Sequence, residues 1–503
     1  MMPARPTRVK IKNELGKTRT LPDTVTSFQQ TGQGKEHLVL GLGPEPDMLP
    51  AILGHPSRVW FVEHDLFAQQ MGQDWEARIP ASFQRIPVHA LTRERLAAST
   101  LWTYTPGLRL FPSFWGPILA RIRLLGRTVF QPSRPPVVLL PAQNNALIVP
   151  ELARAFEQAG WRPLFIPDNL AVKQMEDLLL QVAPTLCLSL NLAGLDGYGE
   201  THHLLREAGV NVVVWMVDNP FHILSRCQGH FWKDIPLGVT DDWFMKPLQA
   251  LGGQAFHLPL ATDPFVFHPS RHEHPQNSSP AVTFVGRTSF PRKQQFFAGV
   301  SVDASLLNLA KQGIPQGRRR DFAWWTDQLD IPSFWPEKAI RKAGLGAEET
   351  ALAWRLACLQ EAASCCELTL VGDSAWHNLL SRPVTLHPPL DYYTTLGDWY
   401  ARASITLNMT SMLLPHGLTQ RHFDVWAAGG FLLTDTTPGL RIFPEALYEP
   451  VAFREPDRLP ALIQRFQHDS RKKHDLCQAW QEEIFASHTY AHRVQKILEI
   501  SHK

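Results

Sequence analysis

The feature that most constrains this chain is a repeated alternation of short apolar runs with amphipathic segments. "PVVLLPA" is followed by "NALIVPELARAFEQAGW" and "RPLFIP", then "TLCLSLN", "ETHHLLREAG" and "NVVVWMVDNP". Apolar runs of five or six residues suit strands covered on both faces, and the segments between them are long enough for crossover helices. Strand, helix and strand at this spacing imply parallel strands joined by right-handed crossovers, hence a doubly wound sheet. Ligands of such sheets lie beyond the carboxyl ends of the strands, where Asn191, Asp218, Asn219 and His222 fall. Asp218 and His222 are the candidates by type for a catalytic base.

The same logic recurs on either side. Upstream, "HLVLGLGPEPDMLPAIL" and "RVWFVEHD" read as strand, glycine turn, helix and a strand ending at Glu63. That order resembles a nucleotide- or S-adenosylmethionine-binding half, but "GLGPEP" lacks a third glycine and carries two prolines, so an accessory domain with an empty pocket is expected. Downstream, "AVTFVGR", "ELTLVGD", "ASITLN" and "GFLLTD" are further strands, which place Arg287, Gly372, Asn408 and Asp435 at strand ends.

Two proline-rich stretches, "FQPSRPP" and "FHPSRHEHPQNSSPA", divide the 503 residues. The expected organisation is an N-terminal Rossmann-like α/β domain over 1–130, a doubly wound domain over 136–266 and a second over 281–503. The second stretch would be the hinge. The last helices include "SHTYAHRVQKIL".

Charge excludes little but steers the reading. Lys+Arg 49 against Asp+Glu 47 leaves +2, which gives no bulk electrostatic case for nucleic acid or an anionic membrane, and neither is expected as a partner. The local run "GRRRD" reads as a solvated helix start rather than an anion patch. No apolar stretch reaches the roughly 20 residues of a membrane span, and the basic N-terminal segment lacks a signal-peptide core, so a cytoplasmic protein is expected. Six cysteines without paired spacing read as reduced thiols. The 21 histidines form no ligand motif, and "TDDW" has adjacent aspartates rather than D-x-D, so no metal site is expected.

"NMTSMLLPHGLTQRHFDVWAAGGFLLTD", from Asn408 to Asp435, carries the most chemistry. It reads as a strand end, a loop over 409–418, a helix from Thr419 as N-cap through Ala428, a stop at Gly429 and Gly430, and the next strand. The helix N-terminus points to the ligand edge, where its free N–H groups suit a phosphate. Arg421 in the first turn is costly to the helix unless an anion sits above it. Asp424 follows at i+3 on the same face, able to hold the guanidinium and bond sugar hydroxyls. The pattern reads as a cradle for a diphosphate and a ribose, with Gly417 in its loop.

This stretch, with "VTFVGR" upstream and "HTYAHRV" near the end, resembles the C-terminal domain of CgeB-like (spore-maturation type) glycosyltransferases. "VVVWMVDNPF" and "LPLATDPFVFHP" resemble the half that accompanies it, so the likeness spans roughly 137–500. The resemblance implies a GT-B-like pair of doubly wound Rossmann-like domains behind the extra N-terminal α/β domain. It implies a hexosyltransferase-type enzyme that moves a sugar from a nucleotide-sugar co-substrate to a glycan or protein acceptor, with neither metal nor cofactor. Related retaining enzymes carry two glutamates eight positions apart. Asp424 stands at the second, assigned to the ribose hydroxyls, and His416 stands where the first would be. The resemblance also gives the diphosphate to Arg287 and to either Arg292 or Lys293. An S-adenosylmethionine-dependent methyltransferase acting through "GLGPEP", and a non-catalytic nucleotide-sugar-binding protein, are the alternatives.

Overall fold

A computed structural model describes residues 9–22, 26–126, 134–143, 146–269 and 282–501. Most of the expected hinge, "FHPSRHEHPQNSSPA", and the first part of "FQPSRPP" lie outside the described residues.

The alternating pattern becomes three α/β sheets. A short antiparallel hairpin, β1 (Lys10–Lys12) and β2 (Thr18–Thr20), precedes them. The first sheet contains β3 (Phe28–Thr31), β4 (Glu36–Leu40), β5 (Val59–Val62), β6 (Phe83–Arg85) and β7 (Ser99–Tyr104), in the order β3-β7-β4-β5-β6. Only β3 runs antiparallel to its neighbour.

The second sheet contains β8 (Val137–Pro141), β9 (Arg162–Ile166), β10 (Leu186–Leu190), β11 (Asn211–Met216), β12 (Pro236–Val239) and β13 (Gln254–His257). Its order is β13-β12-β11-β10-β8-β9. All five residues of β8 are buried, as a strand covered on both faces requires.

The third sheet contains β14 (Val282–Val285), β15 (Leu368–Val371), β16 (Thr385–His387), β17 (Ile405–Asn408), β18 (Leu432–Asp435) and β19 (Ala452–Phe453), in the order β16-β15-β14-β17-β18-β19. Every pairing in it is parallel. The order reverses between β14 and β17, so a crevice opens at their carboxyl ends. The expected pair of doubly wound sheets, with a third α/β sheet before them, is therefore the observed fold class.

By contact density the chain forms two compact units. One comprises Met1–Asn144, Arg162–Val213 and Arg226–Ile235. The other comprises Asn145–Trp161, Val214–Ser225 and Pro236–Lys503. The residues that line the crevice all lie in this second unit. Its longest element is the helix Ile340–Cys365, whose buried positions run from Ile340 to Ala362. That helix packs on Phe322–Gln328, on Leu459–His468 and on the short helix Pro220–Leu224. All six cysteines are free, and no described helix is long and apolar enough to cross a membrane.

Candidate functional site

A cavity of about 630 Å³ opens at the carboxyl ends of β11, β14 and β17, within the size range of small-ligand sites. Three arginines line it: Arg287 just after β14, Arg355 on the long helix and Arg421 on the helix Arg421–Ala427. Its carboxylates are Asp218 and Glu348, and Ile223, Phe284, Phe290, Phe296 and Leu413 form apolar wall.

Each of two guanidiniums is aimed by a strand end. Asn408 closes β17 fully buried, and its Oδ1 accepts from Arg421 Nε at 2.7 Å and from the Thr419 hydroxyl at 2.8 Å. Its Nδ2 donates to the Thr434 hydroxyl at 2.9 Å, which fixes the amide orientation. Arg421 Nη1 donates to the Val285 carbonyl at 2.6 Å, and the guanidinium lies 5.5 Å over the Phe284 ring. Arg355 donates to the carbonyls of Arg287 and Thr288 at 2.7 and 3.1 Å. It thus ties the loop after β14 to the long helix. Burial pulls both the Arg355 and Arg421 guanidiniums below their ordinary pKa. Both therefore stand in partly dry surroundings, where an anion would be attracted strongly.

Asp218 is an exposed member of the cavity wall. His222 also lines it but is only 8 % exposed, and burial drives its pKa down to about 4. The Phe296, Phe297 and Phe322 rings surround it at 5.3 to 6.1 Å. A methyl group at Gly344 would come within 2.2 Å of the His222 ring, so the imidazole is wedged against the long helix. A neutral ring so packed is a weak proton acceptor, and its clearest role here is to seat that helix.

Other residues expected at the site are placed differently. Asp424 does not contact Arg421. It is 1 % exposed and accepts from Thr262 Oγ1 at 2.8 Å, Tyr392 OH at 2.7 Å and Gln420 Nε2 at 3.2 Å. Burial, opposed by those bonds and reinforced by Glu151, pushes its carboxyl up to about 8. The i+3 spacing puts the two on adjacent rows, yet Arg421 reaches Asn408 and Val285 while Asp424 turns into the core. The helix is also shorter than expected. It runs Arg421–Ala427 with Gln420 at the N-cap, and the Thr419 hydroxyl bonds Asn408 instead of capping it.

His416 does not join Asp218 and His222. Its backbone N–H donates to Asp241 at 2.9 Å and its Nδ1 lies 2.7 Å from Asp242 Oδ1. The "TDDW" aspartates and His416 present ligand atoms within 4.8 Å of one another, so these three are the described residues with metal-holding geometry. Asp241 is already occupied by N–H donors from Trp243 and His416, and burial raises it to about 7.

Asp435 is fully buried and accepts from Thr410 N and Oγ1, from Trp354 Nε1 at 3.0 Å and from Arg319. "GRRRD" does open the helix Phe322–Gln328, capped by Asp321, but Arg319 is not solvated: Asp435 draws it inside. Lys293 pairs with Glu349 at 2.7 Å, and Arg292 is exposed with φ 61° before the short helix Lys293–Phe296. Gly372 allows close approach, since a methyl there would meet the Gly286 carbonyl at 2.2 Å. Gly417 accepts from the Thr437 hydroxyl at 3.2 Å.

Sequence reasoning passed over Arg355 and Glu348. Their signal was a glutamate and an arginine seven residues apart in "EETALAWR", a spacing that puts Glu348 and Arg355 on one helix face.

In the first sheet, Gly41 and Gly43 take left-handed φ of 78° and 70°, as the tight turn after β4 demands. Glu63 spends its carboxylate on that turn, accepting from Leu42 N–H at 2.7 Å and His64 N–H at 2.9 Å, and burial lifts it to about 7. Trp75 donates to the Gly43 carbonyl at 2.9 Å, and a methyl at Gly43 would meet the Tyr104 ring at 3.2 Å. The acid that would hold a cofactor ribose is thus committed to the backbone. The place above the glycines is filled by aromatic rings.

No curated protein matches this chain. Among solved structures, an alpha-glucosyltransferase in complex with UDP-glucose and DNA containing an abasic site is similar at 9 % identity and a TM-score of 0.45, covering 73 % of this chain and 98 % of its own. A glycosyltransferase from Rickettsia africae is similar at 10 % identity and a TM-score of 0.43, covering 73 % and 97 %. HepE of Anabaena in complex with UDP is similar at 10 % identity and a TM-score of 0.43, covering 73 % and 99 %. Residues 353–499, which run from within the long helix to the last one, match the family described as glycosyl transferase-like.

Proposed function

We propose that this chain is a metal-independent glycosyltransferase of the hexosyltransferase type. It takes a sugar from a nucleotide-sugar donor and passes it to a glycan or protein acceptor, with no further cofactor. The observation that carries this reading is the convergence of Arg287, Arg355 and Arg421 on one cavity at the reversal of the third sheet. Cleavage of the donor leaves a nucleoside diphosphate whose negative charge grows in the transition state. Preorganised donors aimed at such charge contribute about 3–4 kcal/mol each. Arg421, held by Asn408 and Val285, is preorganised in this sense, and Arg355 holds the loop that presents Arg287. The acceptor enters past Asp218, which takes its proton if the reaction inverts.

Asp424, Asp435 and Asn408 serve this site from behind, by fixing the helix and loop that carry Arg421. Thermal-shift screening against nucleoside diphosphates and nucleotide sugars tests the reading, because a ligand that binds only the folded chain raises the melting temperature. At least one nucleotide sugar should do so. The proposal fails if none does while S-adenosylmethionine does, or if bound donor is never hydrolysed or transferred.

A further inference from the structure

The cavity contains donors in abundance but one acceptor that stands out. The long helix turns a stripe of Gly344, Glu348, Ala351 and Arg355 to one side, and the last three of these line the cavity. Glu348 is 4 % exposed and lines the cavity. Its nearest cation, Arg355, lies at 3.6 Å, beyond hydrogen-bond reach, and spends its guanidinium on the carbonyls of Arg287 and Thr288. The neighbouring Lys293 is paired with Glu349 at 2.7 Å. Among the described residues no N–H or O–H donates to the Glu348 carboxylate. A buried carboxylate with empty acceptor sites is costly unless a ligand fills them.

The chemistry of the missing ligand follows from sign. A phosphate placed on Glu348 would be repelled, whereas a neutral polyol brings O–H donors, and one carboxylate can accept several of them. We propose that Glu348 is the residue that recognises the transferred sugar, accepting hydrogen bonds from its hydroxyl groups while the arginines hold the diphosphate. This rests on the glycosyltransferase reading above. It makes Glu348 specificity-determining, since a site built around a hydroxyl donor rejects sugars lacking it.

The test is calorimetric titration of the full chain with UDP, GDP and ADP, and with their glucose, galactose and mannose conjugates. Glu348→Gln keeps the shape, removes the charge and should bind the bare diphosphate as well as wild type or more tightly. The same variant should bind the sugar conjugate about 10- to 100-fold more weakly, the loss expected for a charge-assisted contact. Should Glu348→Gln fail to fold, Glu348→Asp, which withdraws the oxygens by one methylene, is read by the same ratio. If diphosphate and conjugate weaken together, or neither changes, Glu348 does not read the sugar and the assignment falls alone. If wild type binds none of these probes, the glycosyltransferase reading fails first and takes this inference with it.

Discussion

Asp424→Asn separates a buried neutral anchor from an ionised ligand-binding group, and it does so through pH. The carboxyl's value in the folded chain, about 8, lies above its ordinary 3.8. Between those limits the folded state keeps a proton that the unfolded state has released. The stabilisation is complete below the unfolded value and is lost as pH rises through the folded one. Each pH unit inside the window costs about 1.4 kcal/mol, so the loss between pH 6 and pH 8 is about 2 kcal/mol from this group. Other groups titrate in the same range. Glu63, Glu151 and Asp241, raised to about 7, act in the same direction, whereas His222 and His422, lowered to about 4 and 3, act in the opposite one. The difference between variant and wild type removes them. Asparagine is neutral throughout, can accept from Thr262 and can donate to the Tyr392 hydroxyl, so packing is preserved. Urea unfolding followed by tryptophan fluorescence reads the right region, because Trp426 of the same helix stacks on Trp480 at 4.9 Å. The stability of Asp424→Asn relative to wild type should climb by about 2 kcal/mol from pH 6 to pH 8. Parallel profiles would mean that Asp424 is ionised across the range and is not a neutral anchor.

Arg421→Ala should weaken nucleoside diphosphate binding by about 1.5–3 kcal/mol, the scale of a charge-assisted bond. It should also lower stability, because the Val285 carbonyl and Asn408 lose a donor. Unchanged diphosphate affinity in calorimetry would remove Arg421 from the site. Gly344→Ala should destabilise the chain by about 1–3 kcal/mol through overpacking against His222. Most of that should return in the double variant with His222→Ala, and additive losses would show that the two do not meet. Chelation with EDTA should leave turnover intact. Loss restored by manganese would point to Asp241, Asp242 and His416 as a working metal site.

How much of this was legible in the sequence depended on how local its cause was. "VVLLP", "VTFV" and "ITLN" are short, mostly apolar and β-branched runs between turn signals, and as strands of parallel sheets covered on both faces they bury nearly every residue. Strand ends followed directly, and so did the placement of Arg287, Asn408 and Arg421 near one edge. The direction in which Asp424 points was not legible, since its partners Thr262 and Tyr392 are far away in sequence. The same holds for His416, whose aspartates lie more than a hundred residues upstream, and for Arg319, drawn inside by Asp435. The helix Ile340–Cys365 hides its register because it is apolar on most sides, so the cavity face that carries Glu348 and Arg355 gave little periodic signal.

The interleaving of the two compact units has a consequence for how the molecule comes into being. A chain emerging from the ribosome has all of the first unit's residues once Ile235 is made. The helix Val149–Gln158 is by then long since synthesised, yet its packing partner, Tyr490–Ser501, lies far downstream of it. The face of Val149–Gln158 that meets Tyr490–Ser501, Ala155 included, stays uncovered until that later helix is made. That interval is when such a nascent chain is most prone to aggregate and most dependent on chaperones. The cavity, whose lining residues extend to Arg421, cannot form until long after the first unit's residues are made, and slowed elongation beyond residue 235 should lower the yield of active protein before it harms the first unit.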